Sequence, residues 1–259
     1  MGRSGALVYG IVCYGVFFGT FLALVGFLGG FGPLRTIDSG PTTSPGLAVA
    51  INALLLVLFA VQHSVMARPA FKEVFTQVVP RPIERSTYVL ASSLVLVLLM
   101  ALWQPIPRVV WQVTDPVGHA LLSAGFFAGV GLVLLSTFLL DHFDLFGLRQ
   151  VWLHFRGRPY QHKRFAAPFL YRHIRHPLYV GWFATVWLTP TMTAGHMLFA
   201  AVATGYVLVA IGYEERDLLS FLGDDYRRWR DRTPMFFPRL GRGRPSGFRP
   251  GEVAGSRRA

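Results

Sequence analysis

Cysteine is nearly absent: Cys13 is the only one in 259 residues. That excludes an intramolecular disulfide and any cysteine-built metal site. Within an apolar run the residue reads as a small packing side chain. Charge is scarce as well. Asp, Glu, Lys and Arg make up 15% of the chain, against about 25% in soluble domains. Acids are the rarer half, 13 Asp and Glu against 25 Lys and Arg. From Tyr179 to Tyr213 there is no Lys, Arg, Asp or Glu at all. These deficits exclude an ordinary soluble domain and place the chain in the membrane class. The net charge of +12 could suggest nucleic acid, but the basic residues cluster in loops beside apolar spans. There they set topology and meet anionic lipid, so membrane lipids are the expected partner and nucleic acid is not.

What is present in abundance is apolar length, 53% of the residues being hydrophobic. A bilayer crossing needs about 20 such residues. The pattern predicts an all-α polytopic membrane helical bundle with spans at 5–30, 46–66, 86–103, 117–140, 178–190 and 195–213. The run from Leu7 to Phe31 is too long for a cleavable signal, and Gly10, Gly15, Gly19 and Gly26 read as close helix-packing sites. Trp103 and Trp111 suit an interfacial belt. The hydrophobic run 178–213 is far too long for one crossing. Pro190 and Gly195, with Thr189, Thr191 and Thr193, mark a turn near its middle. It is therefore read as a C-terminal helical hairpin, either crossing the bilayer or partly re-entrant.

Orientation follows from Lys and Arg. The loop 67–85 carries four, the loop 141–177 seven and the segment after 213 eleven, whereas 31–45 and 104–116 carry one each. The positive-inside rule then puts both termini and the two basic loops in the cytoplasm. Beyond 213, Leu218, Leu222, Tyr226 and Trp229 keep a helical spacing, which predicts a cytosolic extension of the last helix ending at Thr233-Pro234. Residues 1–240 are read as one membrane domain and 241–259, rich in Gly, Pro, Ser and Arg, as a disordered basic tail.

Two polar clusters stand out against this apolar background. Arg175-His176-Pro177-Leu178-Tyr179-Val180-Gly181-Trp182 begins the hairpin, with Pro177 suited to a first helical turn, and Glu214-Glu215-Arg216-Asp217 closes it. Folding the hairpin back brings both to the same side. Acidic groups at a membrane-helix end need a partner or a water-filled pocket, and by default suggest function. In the plainer reading Arg175 sets topology, His176 is interfacial, and the carboxylates pair with loop arginines in a membrane sensor or transporter. His154, His162 and His173 lack helix-face spacing, so no metal site is predicted.

Tyr171, the Arg175-His176-Pro177 motif with Tyr179, and Glu214-Glu215 followed by Leu218, Gly223, Tyr226 and Thr233-Pro234 resemble the isoprenylcysteine carboxyl methyltransferase superfamily. The resemblance implies S-adenosylmethionine (SAM) as methyl donor. It implies cofactor contacts at Tyr171, Arg175, His176, Pro177, Tyr179, Glu214 and Glu215. Carboxylates suit the ammonium and sulfonium of SAM, Arg its carboxylate, and Tyr its adenine. The Ile37–Pro41 loop, Gln62-His63-Ser64, Trp103-Gln104-Pro105 and Phe143–Arg149 further resemble bacterial methanethiol S-methyltransferases. That resemblance implies a bacterial inner-membrane enzyme methylating a small volatile thiol, methanethiol, to dimethyl sulfide. In the prenylcysteine enzymes an Arg four residues before the first Glu engages the substrate carboxylate; here that position is Ala210. A larger prenylated or lipid acceptor is the alternative substrate.

Thiolate, not thiol, is the nucleophile. An alkyl thiol at least as basic as Cys, whose pKa is about 8.5, is mostly protonated at pH 7. The candidates for a base on the cytoplasmic side are His142, His63, Asp144 and Asp141, with the two histidines preferred. A desolvated pocket beside the sulfonium could also act without a dedicated base.

Overall fold

The computed structural model describes residues 2–161 and 166–238; the tail expected over 241–259, and His162, lie outside them. The helices are α1 (Arg3–Gly29), α2 (Pro45–Ala67), α3 (Pro69–Phe75), α4 (Arg81–Leu102), α5 (Pro116–Leu140), α6 (His142–Leu145), α7 (Leu148–Phe155), α8 (Pro177–Trp187) and α9 (Ala194–Arg232). A 3-10 turn spans Phe169–Arg172, and short strands β1 (Val109–Gln112) and β2 (Thr191–Thr193) pair antiparallel. Among the described residues five helices (α1, α2, α4, α5 and α9) are long and apolar enough to cross a bilayer. Many of their large side chains, among them Leu54, Leu121, Val117 and Val209, face outward, as lipid-facing surfaces require. The chain is an all-α integral membrane bundle.

Local chemistry accounts for the helix starts. Pro occupies the first turn of α2, α4, α5 and α8, where its missing N–H costs nothing. Asp115 caps α5 by accepting from the Gly118 N–H at 2.7 Å, and Thr193 caps α9 by accepting from His196 N–H at 3.1 Å. Gly30 ends α1 in the left-handed conformation at φ 72°, which glycine adopts without strain.

The fifth predicted span, 178–190, ends early, and the sixth runs on into the expected helical extension. α8 stops at Trp187 after 11 residues, roughly 16 Å of rise and too short to cross alone. The segment 195–213 is the first half of a 39-residue helix running to Arg232. The hairpin nevertheless reaches the far end of the bundle, because its tip is extended chain. β2 pairs with β1 from the α4–α5 connection, Trp111 Nε1 donates to Thr189 O at 3.2 Å, and Val113 N–H donates to Pro190 O at 2.8 Å. Thr193 donates to Asp38 of the α1–α2 loop, and Asn52 and the Gln104 backbone exchange two 2.8 Å bonds.

Trp103 is not a belt residue. It is fully buried, edge-on to Phe27 and Phe199, in the core that joins α1, α4 and α9. The glycine expectation holds only in part. Gly10 lies against Val151, but nothing stands near Gly15 or Gly19. A backbone-to-backbone approach lies elsewhere, between α5 and α8, where a Cβ on Gly129 would lie 2.7 Å from Gly181 O and one on Gly181 2.8 Å from Gly129 O. Gly223 breaks α9 with φ 58° and ψ −132°, a region open essentially to glycine alone. Beyond the break Trp229 reaches the 3-10 turn, so the stripe from Leu218 to Trp229 is not one straight face.

Candidate functional site

The two polar clusters meet, at the end of the bundle opposite the sheet. Pro177 opens α8 with its side chain buried. One turn in, the Tyr179 hydroxyl donates to Glu214 Oε2 at 2.9 Å. Arg175 Nε donates to Glu215 Oε1 at 2.7 Å, and His176 Nε2 lies 3.0 Å from the same oxygen. These contacts span 35 to 40 residues of sequence and are closed by the hairpin.

A short strap from the chain end locks over this junction. Arg175 N–H donates to Pro234 O at 2.9 Å and His176 N–H to Met235 O at 3.1 Å. Arg175 Nη1 donates to Thr233 O at 2.7 Å and Arg230 O at 3.2 Å. Arg175 thus serves Glu215 and three carbonyls of the strap region. Trp229 Nε1 donates to the Tyr171 carbonyl at 3.1 Å, and the buried Tyr171 phenol faces Ser136 of α5 and Glu214. Burial first, then the Glu214 charge, pushes that phenol above its ordinary pKa, so it stays protonated as a hydrogen-bond donor.

All seven residues expected to contact cofactor are therefore brought together. They divide into two kinds. Arg175, His176 and Glu215 are engaged with one another and the strap, whereas Glu214 carries Tyr179 on one carboxylate oxygen. A half-buried carboxylate flanked by two phenols suits a cationic group.

The base candidates separate. His142 is 2% exposed, with Nε2 2.9 Å from the Tyr14 hydroxyl, Nδ1 2.8 Å from Thr137 Oγ1, and its ring stacked on Phe138 at 4.2 Å. It fastens α1 to α5, and burial lowers its pKa against the opposing pull of Asp141. Asp144 accepts from Arg149 at 3.2 Å and from Tyr160 at 3.2 Å, organising the 141–161 loop. Asp141 caps α6 from a positive φ of 131° and accepts from Asp144 N–H. His63 is half-buried, with the Tyr88 hydroxyl 3.0 Å from each ring nitrogen and Ser92 Oγ 3.2 Å from Nδ1. Ser64, the next residue, lies 3.0 Å from the Tyr206 hydroxyl. Tyr88 and Tyr206 are in electrostatic reach of Tyr179, so this second cluster adjoins the Glu214 site.

Tyr88, Ser92, Tyr206 and the strap carbonyls were not singled out from the sequence. Tyr88 and Ser92 are spaced i, i+4 in a span otherwise rich in Leu and Val, a polar pair on one helix face that could have been noticed. The strap contacts are backbone and leave no residue signature. Among the described residues no three His, Cys, Asp or Glu side chains gather to hold a metal.

An apolar groove of about 430 Å³ runs along α8 beside the strap, lined by Val180, Phe183, Trp187, Leu188, Phe236 and Phe237.

Comparison with known proteins gives close relatives. The chain is 52% identical to methanethiol S-methyltransferase 1 of Bradyrhizobium diazoefficiens, over 90% of this chain and 82% of that protein. It is 50% identical to methanethiol S-methyltransferase of Mycobacterium tuberculosis, over 92% of this chain and 98% of that one. Nurim of Bos taurus is 35% identical over 63% of this chain and 65% of its own length. No family model matches the chain, and no solved structure matches it.

Proposed function

The chain belongs to the methanethiol S-methyltransferase family, and from that premise we propose that it methylates methanethiol to dimethyl sulfide with SAM as donor. The observation that carries this reading is the meeting of Tyr179 with Glu214 and of Arg175 and His176 with Glu215. It builds a carboxylate-centred cluster at the charged end of an otherwise apolar bundle. Bound there, SAM supplies a methyl group on a sulfonium, which a thiolate sulfur takes by direct displacement.

The chain's own residues divide the work of holding the donor. Glu214 would accept its positive end, with the Tyr179 hydroxyl orienting the carboxylate, and the Tyr171 and Tyr179 rings would line the site beside its base. His176 and Arg175 hold Glu215, and through it the strap, in place. Because Arg175 is committed to Glu215 and to the strap carbonyls, its role toward the cofactor is to shape the pocket. Ala210 leaves no cation for a substrate carboxylate, which suits a neutral one-carbon thiol. The enzyme acts as an integral protein of the bacterial inner membrane with both termini in the cytoplasm, by the distribution of Lys and Arg.

The test is a headspace assay of detergent-solubilised full-length protein with SAM and methanethiol. Dimethyl sulfide formation that requires both is expected; none from SAM-binding protein contradicts the substrate assignment. A second reading, a larger lipophilic acceptor, draws on the α8 groove, whose volume is that of a ligand pocket. It is favoured instead if long-chain thiols or prenylated cysteine are methylated in place of methanethiol.

A further inference from the structure

We propose that His63 is the group that takes the thiol proton, held for that task by Tyr88 and Ser92, so that the methyl acceptor binds between α2 and α4 beside Glu214. The inference deepens the thiol methyltransferase reading and rests on it.

The geometry distinguishes His63 from the other candidates. Both ring nitrogens of His142 are spent on Tyr14 and Thr137, and its 2% exposure leaves no path for a substrate. Asp144 is tied to Arg149 and Tyr160. His63 is half-buried. Ser92 is the second partner of its Nδ1, whereas Nε2 has the Tyr88 hydroxyl. That hydroxyl is equally close to Nδ1, so in the tautomer with Nδ1 protonated its oxygen accepts from Nδ1–H and the Nε2 lone pair is left for a thiol. An unpaired buried hydroxyl would otherwise cost roughly 1–3 kcal/mol.

The surroundings favour an anion there. The charged and titratable groups facing His63 are Tyr88 and Arg85 from α4, with Arg68 at the end of α2 and Tyr206 of α9 beyond them. Arg85 sits 5.4 Å from the Tyr88 ring centre and donates to Leu145 O at 2.9 Å. A fixed guanidinium near the site favours thiolate over thiol and by the same charge opposes an imidazolium at His63, so the proton rests there only briefly before it passes to water. The neighbouring Ser64–Tyr206 contact at 3.0 Å ties this part of α2 to α9, the helix that carries Glu214.

In the step, the S–H bond breaks and its proton moves to Nε2, giving imidazolium and methanethiolate. The sulfur's electron pair then forms the new C–S bond to the donated methyl, while the electrons of the old bond stay on the donor's sulfur. Dimethyl sulfide and S-adenosylhomocysteine result, and the imidazolium returns its proton to water.

The experiment compares full-length wild type, His63→Gln and His142→Gln for SAM binding by titration and for kcat/KM with methanethiol across pH. For His63→Gln, unchanged SAM affinity is expected, with kcat/KM at pH 7 lowered by about 10²–10⁴. The deficit should shrink about tenfold per pH unit as the thiol ionises by itself. His142→Gln should show no such alkaline rescue. A second variant, His63→Asn, is read the same way, so that one failing to fold leaves the other to decide. A His63 variant as active as wild type at pH 7, or a deficit constant with pH, overturns the assignment while leaving the function standing. Wild type that binds SAM but methylates no thiol overturns the function, and this assignment with it.

Discussion

Tyr179 and Glu214, 35 residues apart, meet at 2.9 Å across the helical hairpin. The phenol is the donor, and the acceptor is a carboxylate at the point where the last span leaves the membrane. Tyr179→Phe keeps the ring and deletes only this bond, so a double-mutant cycle with Glu214→Gln isolates it. A coupling of about 0.5–3 kcal/mol in unfolding free energy is expected for residues in direct contact. Strictly additive variants would mean that the two side chains do not meet.

Arg175 and Glu215 form a pair whose side chains are each 14% exposed, so removal of one partner leaves the other charge poorly solvated. Glu215→Ala should cost about 3–5 kcal/mol, as for a broken buried pair, and should loosen the strap, since Arg175 also holds the Thr233 and Arg230 carbonyls. Arg175→Lys should destabilise nearly as much, because an ammonium lacks the planar fork that reaches three acceptors. Thermal unfolding, with proteolysis after residue 223 as a local readout, checks both.

Gly223→Ala should be costly although nothing crowds the position. At φ 58° and ψ −132° a Cβ is strained by about 1–3 kcal/mol, and the helix regains stability by straightening. That would lift Trp229 from the Tyr171 carbonyl, so SAM affinity should fall along with stability. Gly19→Ala, in open space within α1, is the control and should be neutral to slightly stabilising by helix propensity.

The α5–α8 contact tolerates no side chain. A Cβ at Gly181 would meet Gly129 O and Val133 N at 2.8 Å, both backbone. Gly181→Ala must push the helices apart at about 1–3 kcal/mol, and displacing α8 shifts Tyr179 from Glu214. A drop in both melting temperature and SAM affinity is expected.

His142 should make stability fall in acid. Burial depresses its folded-state pKa below the unfolded value of about 6.5. Above that value both states are neutral there and nothing is lost. As pH drops through it the unfolded chain takes up the proton first, and folding weakens until the folded-state pKa is passed. The stability advantage of wild type over His142→Gln should therefore narrow between about pH 7 and 5, as read by thermal unfolding.

Much of the site was legible because charge is so rare in this chain. Arg175, His176, Glu214 and Glu215 stand at the two ends of a charge-free run, and the loop arginines give the side on which they meet. The helix ends were less legible. Hydropathy counts apolar residues without regard to continuity, so α8's early stop at Trp187 does not register, whereas the spacing of Leu218, Leu222, Tyr226 and Trp229 did show α9 running on past Glu214. Trp103 looked interfacial because a tryptophan at a span end usually is; only the packing of Phe27 and Phe199 around it makes it core. The Gly129–Gly181 contact depends on which helices are neighbours, and the Thr233–Met235 strap acts through carbonyls that every residue possesses. His63 and His142 were equivalent in sequence, and their partners, Tyr88 and Tyr14, are what separate them.

On the proposed function, the hairpin brings two distant motifs into one SAM site. Equilibrium titration of SAM into solubilised wild type and Glu214→Gln tests it most directly. Saturable binding by wild type is expected, weakened in the variant by about 10- to 100-fold, the worth of a hydrogen bond to a charged group. Wild type that does not bind SAM, or a variant that binds it equally well, would contradict the account.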